Sequence, residues 1–157
     1  MRHILKLHRS LLDPIPQVSN EFEISTLNLE SQKEEWLELN NKIFIKHPDQ
    51  GNWVMADLEN RMAETWFDPA GFFIALNNQK IIGFCWMKIH HDFVNQDPIG
   101  EIYVIGVDPE NKKTGLGKAL AITGLNYLTS KSLTQAMLYV DADNAPALAM
   151  YQGLGFN

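Results

Sequence analysis

The chain has 157 residues, enough for one domain with a sizeable core. Hydrophobic residues make up 45% and charged residues 20%, the balance of an ordinary soluble globular protein. A net charge of −6 argues against nucleic acid as the main partner, and no apolar run reaches membrane-spanning length.

In chain order, the start M-R-H-I-L-K-L-H-R-S-L-L predicts a short amphipathic helix over residues 1–13, ended by Pro14 and Pro16. Lys6, His8 and Arg9 interrupt it, so it lacks the continuous apolar core of a signal peptide. Residues 14–20 read as a linker, which divides the chain into 1–18 (helix and linker) and 19–157 (one folded domain). Glu21 to Leu27 alternates like a strand. Ser31 with Glu34 three residues on suggests a capping box, opening a helix to about Lys46. His47 to Asn52 is a loop, and a second helix covers Met55 to Thr65. Two strands, Phe72–Leu76 and Lys80–Lys88, join at Asn77-Asn78 as a hairpin. His90, His91 and Asp92 open a polar loop, and no further metal ligands stand at suitable spacing. A central strand runs from Ile99 to Val107. A helix then extends to about Lys131, followed by a strand from Gln135 to Asp141 and a helix from Ala145 to Leu154, closed by Gly155. The single cysteine, Cys85, lies in the apolar run I-I-G-F-C-W-M and reads as a buried structural thiol. It permits no internal disulfide, which fits a reducing cytoplasm.

The segment Val104 to Tyr127, V-I-G-V-D-P-E-N-K-K-T-G-L-G-K-A-L-A-I-T-G-L-N-Y, carries the strongest chemical signal. A strand leads through a basic, glycine-bearing loop to a helix N-terminus. The first helical N–H groups have no internal partner, and the helix dipole is positive there, so the arrangement suits a phosphate. Gly115 and Gly117 allow close backbone approach, and Lys112, Lys113 and Lys118 add positive charge. A Walker A loop is excluded, because Lys112 holds its first glycine position and Ala119 follows Lys118. A dinucleotide fingerprint is excluded, because its third glycine would fall at Leu120.

The remaining pattern, K-x-x-G-x-G after V-x-V-D-P, resembles the acetyl-CoA loop of the GCN5-related N-acetyltransferases (GNAT). Residues 138–156, L-Y-V-D-A-D-N-A-P-A-L-A-M-Y-Q-G-L-G-F, resemble that family's second motif. The resemblance implies an α/β fold with a central mixed sheet flanked by helices. Several stretches, among them N-N-K-I-F-I-K-H-P-D-Q-G-N-W, W-F-D-P-A-G-F-F-I-A and G-F-C-W-M-K-I-H, are similar to the C-terminal domain of mycothiol synthases. Two departures stand out. That family carries a further N-terminal domain, and its C-terminal domain continues past Gly-Phe into another strand, which makes the C-terminal strand missing here and leaves a sheet edge open to a second copy or a partner domain.

The resemblance implies an acetyl-CoA-dependent transfer to a small-molecule amine, the cysteinyl amine of a cysteine-glucosamine-inositol acceptor, by direct attack in a ternary complex. It implies Glu101 as general base and Tyr151 as general acid. Acetyl-CoA would contact Ile105, Gly106 and Val107 through backbone groups, with Lys112, Lys113, Thr114, Gly115, Leu116, Gly117 and Lys118 around the phosphates, and Asn144 and Ala147 at the last helix. Lys88 and Tyr139 are implied acceptor contacts. Asp49 stands where the family more often has Glu, and the loop-carboxylate reading is preferred. No metal, nucleic acid or membrane is implied. Two other readings stay open: a different amine acceptor, such as a peptide N-terminus, or a non-catalytic acetyl-CoA-binding remnant.

Overall fold

The computed structural model describes residues 3–18, 21–92, 94–111 and 114–157. Its elements in order are β1 (Ile4–Ser10), β2 (Glu23–Thr26), α1 (Lys33–Ile43), α2 (Met55–Met62), β3 (Phe72–Asn77), β4 (Lys80–His90), β5 (Ile99–Val107), α3 (Leu116–Ser130), β6 (Gln135–Asp141) and α4 (Ala145–Gly153). The strands form one six-stranded sheet in the order β1-β6-β5-β4-β3-β2. Every neighbouring pair is antiparallel except β5 and β6, which run parallel.

The sheet separates two cores. One is mainly aliphatic and lies under α3 and α4, with Cys85, Met87, Ile102, Leu120, Leu125, Leu128 and Leu138. The other is aromatic and lies under α1 and α2, with Trp36, Trp53, Phe72, Phe84 and Trp86. Alternation along β4 explains the division: Phe84 and Trp86 point to one face, Cys85 and Met87 to the other. Close approach of α3 to the sheet requires glycine. A Cβ on Gly100 would strike Leu128, and one on Gly124 would strike Met87 Sδ.

The N-terminal segment corrects the sequence reading. The expected helix over residues 1–13 is strand β1, paired along its length with β6 from Ile4↔Asp141 to Ser10↔Gln135. Leu7, Arg9 and Leu11 alternate into the fold. The charged Arg9 disguised that period. Its buried guanidinium donates to the carbonyls of Leu154 and Asp13, so the charge is satisfied by backbone. Described residues 3–18 are therefore part of the sheet and its core, and β1 covers the edge of β6 that the sequence left open. No strand follows α4 among the described residues, but Asn157 exchanges both backbone hydrogen bonds with His8.

Two local expectations also change. Helix α1 starts at Lys33, and the Ser31–Glu34 capping box does not form. Asn28 Oδ1 accepts from the N–H groups of Glu30 and Ser31 instead, a tighter local turn that competes with the cap. The β3–β4 hairpin turns one residue later than expected, at Asn78 and Gln79, both at positive φ.

Candidate active site

Strands β5 and β6 pair only from Gly100↔Ala136 to Ile102↔Leu138. Both strands run on, so the sheet opens beyond that point. Tyr103 is an extra residue on β5: Trp86 pairs with Val104 and Met87 with Ile102. Such a bulge bends the strand and re-aims side chains. Past it, Ile105, Gly106 and Val107 pair with β4 on one side only. Among the described residues no strand pairs with their other edge, a place where an extended, amide-bearing ligand can pair.

The open wedge leads to the glycine loop. Asp108 follows β5 as a buried carboxylate that accepts from Lys42 Nζ at 3.0 Å and from the Glu110 N–H at 3.1 Å. Burial pushes its pKa up, but the Glu110 N–H and the Lys42 ammonium outweigh this and hold it below the usual carboxylate range. Thr114 Oγ1 donates to the Asn111 carbonyl at 2.9 Å. Gly115, at φ 86°, is the N-cap of α3 in the left-handed region that a side chain would strain. Leu116 is buried, so it offers the loop only its backbone, while Lys118 is exposed. A Cβ on Gly117 would sit 3.4 Å from Met150 Sδ, so α3 and α4 meet here. Lys112 and Lys113 lie outside the described residues. Asn144 caps α4 as expected from sequence, its Oδ1 accepting from the Ala147 N–H at 3.3 Å. Ala147 packs against the aliphatic core.

Glu101 lies where β5 and β6 part, in a pair with Met137 on one side and Lys88 on the other. It is buried, at 6% exposure. Cross-strand partners share a face, so Lys88 and Glu101 both project to the aromatic side. The Lys88 ammonium does not close on the carboxylate. It lies over the Trp66 ring at 4.8 Å and the Tyr103 ring at 5.4 Å. The partner of Glu101 is His90, whose Nε2 is 2.7 Å from Oε1. Sequence reasoning placed His90 in an exposed loop. The structure ends β4 with it, half-buried, because the strand runs two residues past Lys88. The available signal was its spacing: Lys88 and His90 stand two apart, on one face of a strand.

Tyr139, two residues beyond Met137 on β6, is exposed, with Lys6 Nζ 6.0 Å from its ring centroid. Asp49 is exposed in its loop, and its carbonyl accepts from Trp53 Nε1 at 3.1 Å, tying the loop to the aromatic wall. Tyr151 lies on the opposite face, buried in the aliphatic core against Phe156. Its hydroxyl has no hydrogen-bond partner among the described residues. Burial, then the neighbouring Cys85 thiol, pushes its pKa up. Cys85 is buried as expected, and burial pushes its thiol up to about 12.

Residues 20–156 match the acetyltransferase (GNAT) family. A mycothiol acetyltransferase from Acidothermus cellulolyticus is 42% identical, with 99% of this chain and 51% of that protein covered. One from Thermobispora bispora is 44% identical, with 99% and 54% covered. A GCN5-related N-acetyltransferase from Sphaerobacter thermophilus superposes with a TM-score of 0.79 at 19% identity, over 99% of this chain and 48% of that one; at this identity the likeness speaks for the fold. The chain spans about half the length of each of these relatives.

Proposed function

Because the chain belongs to the acetyltransferase (GNAT) family, we propose that it transfers the acetyl group of acetyl-CoA to a small-molecule primary amine in the cytoplasm. We further propose that this amine is the cysteinyl amine of a cysteine-glucosamine-inositol glycoside. The relatives named mycothiol acetyltransferase support that acceptor.

The observation that carries the reading is a buried carboxylate, Glu101, where β5 leaves β6 and exposes an unpaired backbone edge. The residues fit the co-substrate. The free edge at Ile105, Gly106 and Val107 suits its amide-bearing arm, and the N–H groups at the start of α3 suit its pyrophosphate. Thr114, Gly115, Gly117 and Lys118 border that end, with Asn144 and Ala147 across from it on α4, and Lys112 and Lys113 are proposed for the same role. Acetyl-CoA supplies the acetyl group as an activated thioester.

An amine arriving as an ammonium must lose a proton before its nitrogen can attack. Glu101 is the acceptor of that proton, directly or through a water. A backbone N–H of the free edge near Ile105 serves the developing oxyanion. Tyr151 is the proton donor to the leaving sulfur. Its raised pKa keeps the phenol protonated, as an acid must be. Lys88, Tyr139 and, with the weakest support, Asp49 border the acceptor.

The test is acetyl transfer by Glu101→Gln at neutral pH. We expect kcat to fall by roughly 100- to 10,000-fold with acetyl-CoA affinity retained. Full activity in the variant would overturn the assignment. A panel of amines, including a peptide N-terminus, then separates the glycoside acceptor from other acceptors.

A further inference from the structure

We propose that His90 is a positioning residue for Glu101: its Nε2–H holds Oε1 of the carboxylate, leaving Oε2 to meet the acceptor amine. The inference rests on the reading of Glu101 as the base.

Three observations carry it. First, the contact is short, 2.7 Å, between groups that the fold itself brings together. The β4–β5 register sets Lys88 opposite Glu101 and His90 opposite Ile99, so the imidazole reaches the carboxylate diagonally on the same face. Second, the cation directly opposite Glu101 is held elsewhere. Lys88 Nζ lies over Trp66 and Tyr103. An ammonium fixed on a carboxylate makes it a weaker base, and Lys88 is not fixed there. Third, Oε2 accepts no hydrogen bond from the described residues, so one oxygen is fixed and the other is available. On the far side of the ring, Asp92 Oδ1 is 3.9 Å from Nδ1, at the solvent edge. The imidazole therefore lies between a buried and an exposed carboxylate. The Nε2 contact needs a proton on that nitrogen, because a carboxylate only accepts.

The contact arises from an eleven-residue β4 strand that extends to His90. An isolated pair of histidines before an aspartate would carry no such meaning. Here the role is geometric, since a carboxylate swings freely about its last torsions unless something holds it.

The experiment uses the purified chain with acetyl-CoA and cysteinyl-glucosaminyl-inositol, and compares His90→Ala, His90→Gln, His90→Asn and Glu101→Gln. We expect His90→Ala to lower kcat by roughly 10- to 100-fold, with KM for acetyl-CoA unchanged. Glutamine places an amide N–H near the Nε2 position and should restore kcat to within a few-fold. Asparagine reaches only the Nδ1 position and should not. Adding His90→Ala to Glu101→Gln should cost nothing further. Equal kcat in His90→Ala and the unsubstituted chain, with Glu101→Gln inactive, overturns the role of His90 and leaves that of Glu101 intact. Equal loss in the Gln and Asn variants, with unfolding temperatures unchanged, also overturns it. Full activity of Glu101→Gln overturns the reading of the base and this inference with it.

Discussion

The two faces of the sheet are built from different side chains. On the α3 and α4 face, aliphatic residues and small gaps filled by glycine bring the helix close to the strands. Gly100 lies against Leu128, and Gly124 against Met87. That packing sets where α3 begins, and so where its unpaired N–H groups point. On the α1 and α2 face, rings meet edge to face around Trp36, with Phe84 at 5.1 Å and Trp86 at 5.8 Å, and Trp86 stacks on Phe72 at 4.3 Å. Ring faces attract cations, and this side carries Lys88 over Trp66 and Arg61 over Trp53 at 4.4 Å. The indole N–H groups of Trp36 and Trp86 are buried without a hydrogen-bond partner among the described residues. The contrast suggests a division in which one face presents a helix end to an anion and the other presents an aromatic wall to an amine.

The largest way to break that division is Trp36→Ala. Trp36 has no exposed surface and touches Trp53, Phe72, Phe84 and Trp86, so its loss opens a cavity at the centre of the aromatic face. We expect a loss of about 3–5 kcal/mol in urea unfolding. In the protein that still folds, KM for the acceptor should rise more than KM for acetyl-CoA. Gly100→Ala attacks the other face. The added methyl meets the buried Leu128, and overpacking of this kind costs about 1–3 kcal/mol. Because α3 would be pushed from β5, acetyl-CoA affinity should fall first. Equal effects of each variant on both substrates would contradict the division of labour.

Much of the wedge was legible because its signals are local. Asn144 reads as a cap from its place before Ala145-Pro146, and it is one. Gly115 reads as a turn residue, and its positive φ requires glycine there. The apolar runs at 99–107 and 135–141 match β5 and β6. What was not legible depends on distant partners. Nothing near Arg9 shows that its guanidinium ends on the Leu154 carbonyl, and without that contact β1 reads as a polar-striped helix. His90 looks like loop because His91 and Asp92 follow it. Its meaning comes from register with a strand that starts at Ile99. The Tyr103 bulge is likewise invisible in the run Ile102–Val107, since every residue there is compatible with a plain strand.

The smallest effect we expect sharpens the comparison at the seam between the faces. Lys42, near the end of α1 on the aromatic side, bonds to Asp108, which leads from β5 toward α3. The Asp108 carboxyl is held below the ordinary range, with burial opposing and the Glu110 N–H and Lys42 prevailing. The folded state thus binds a proton less readily than the unfolded chain, whose aspartates titrate near 3.9. The stabilisation is present above that value and is lost as pH falls through the lower folded value. Asp108→Asn keeps an oxygen for the Glu110 N–H but loses the charge pairing with Lys42. We expect it to be less stable at pH 7, by a small margin because Lys42 is half in water and screened. Urea midpoints measured at pH 7 and again near pH 3 should converge for the two proteins. A gap that stays constant with pH would mean that Asp108 acts through shape alone, and that the tie between the faces is not electrostatic.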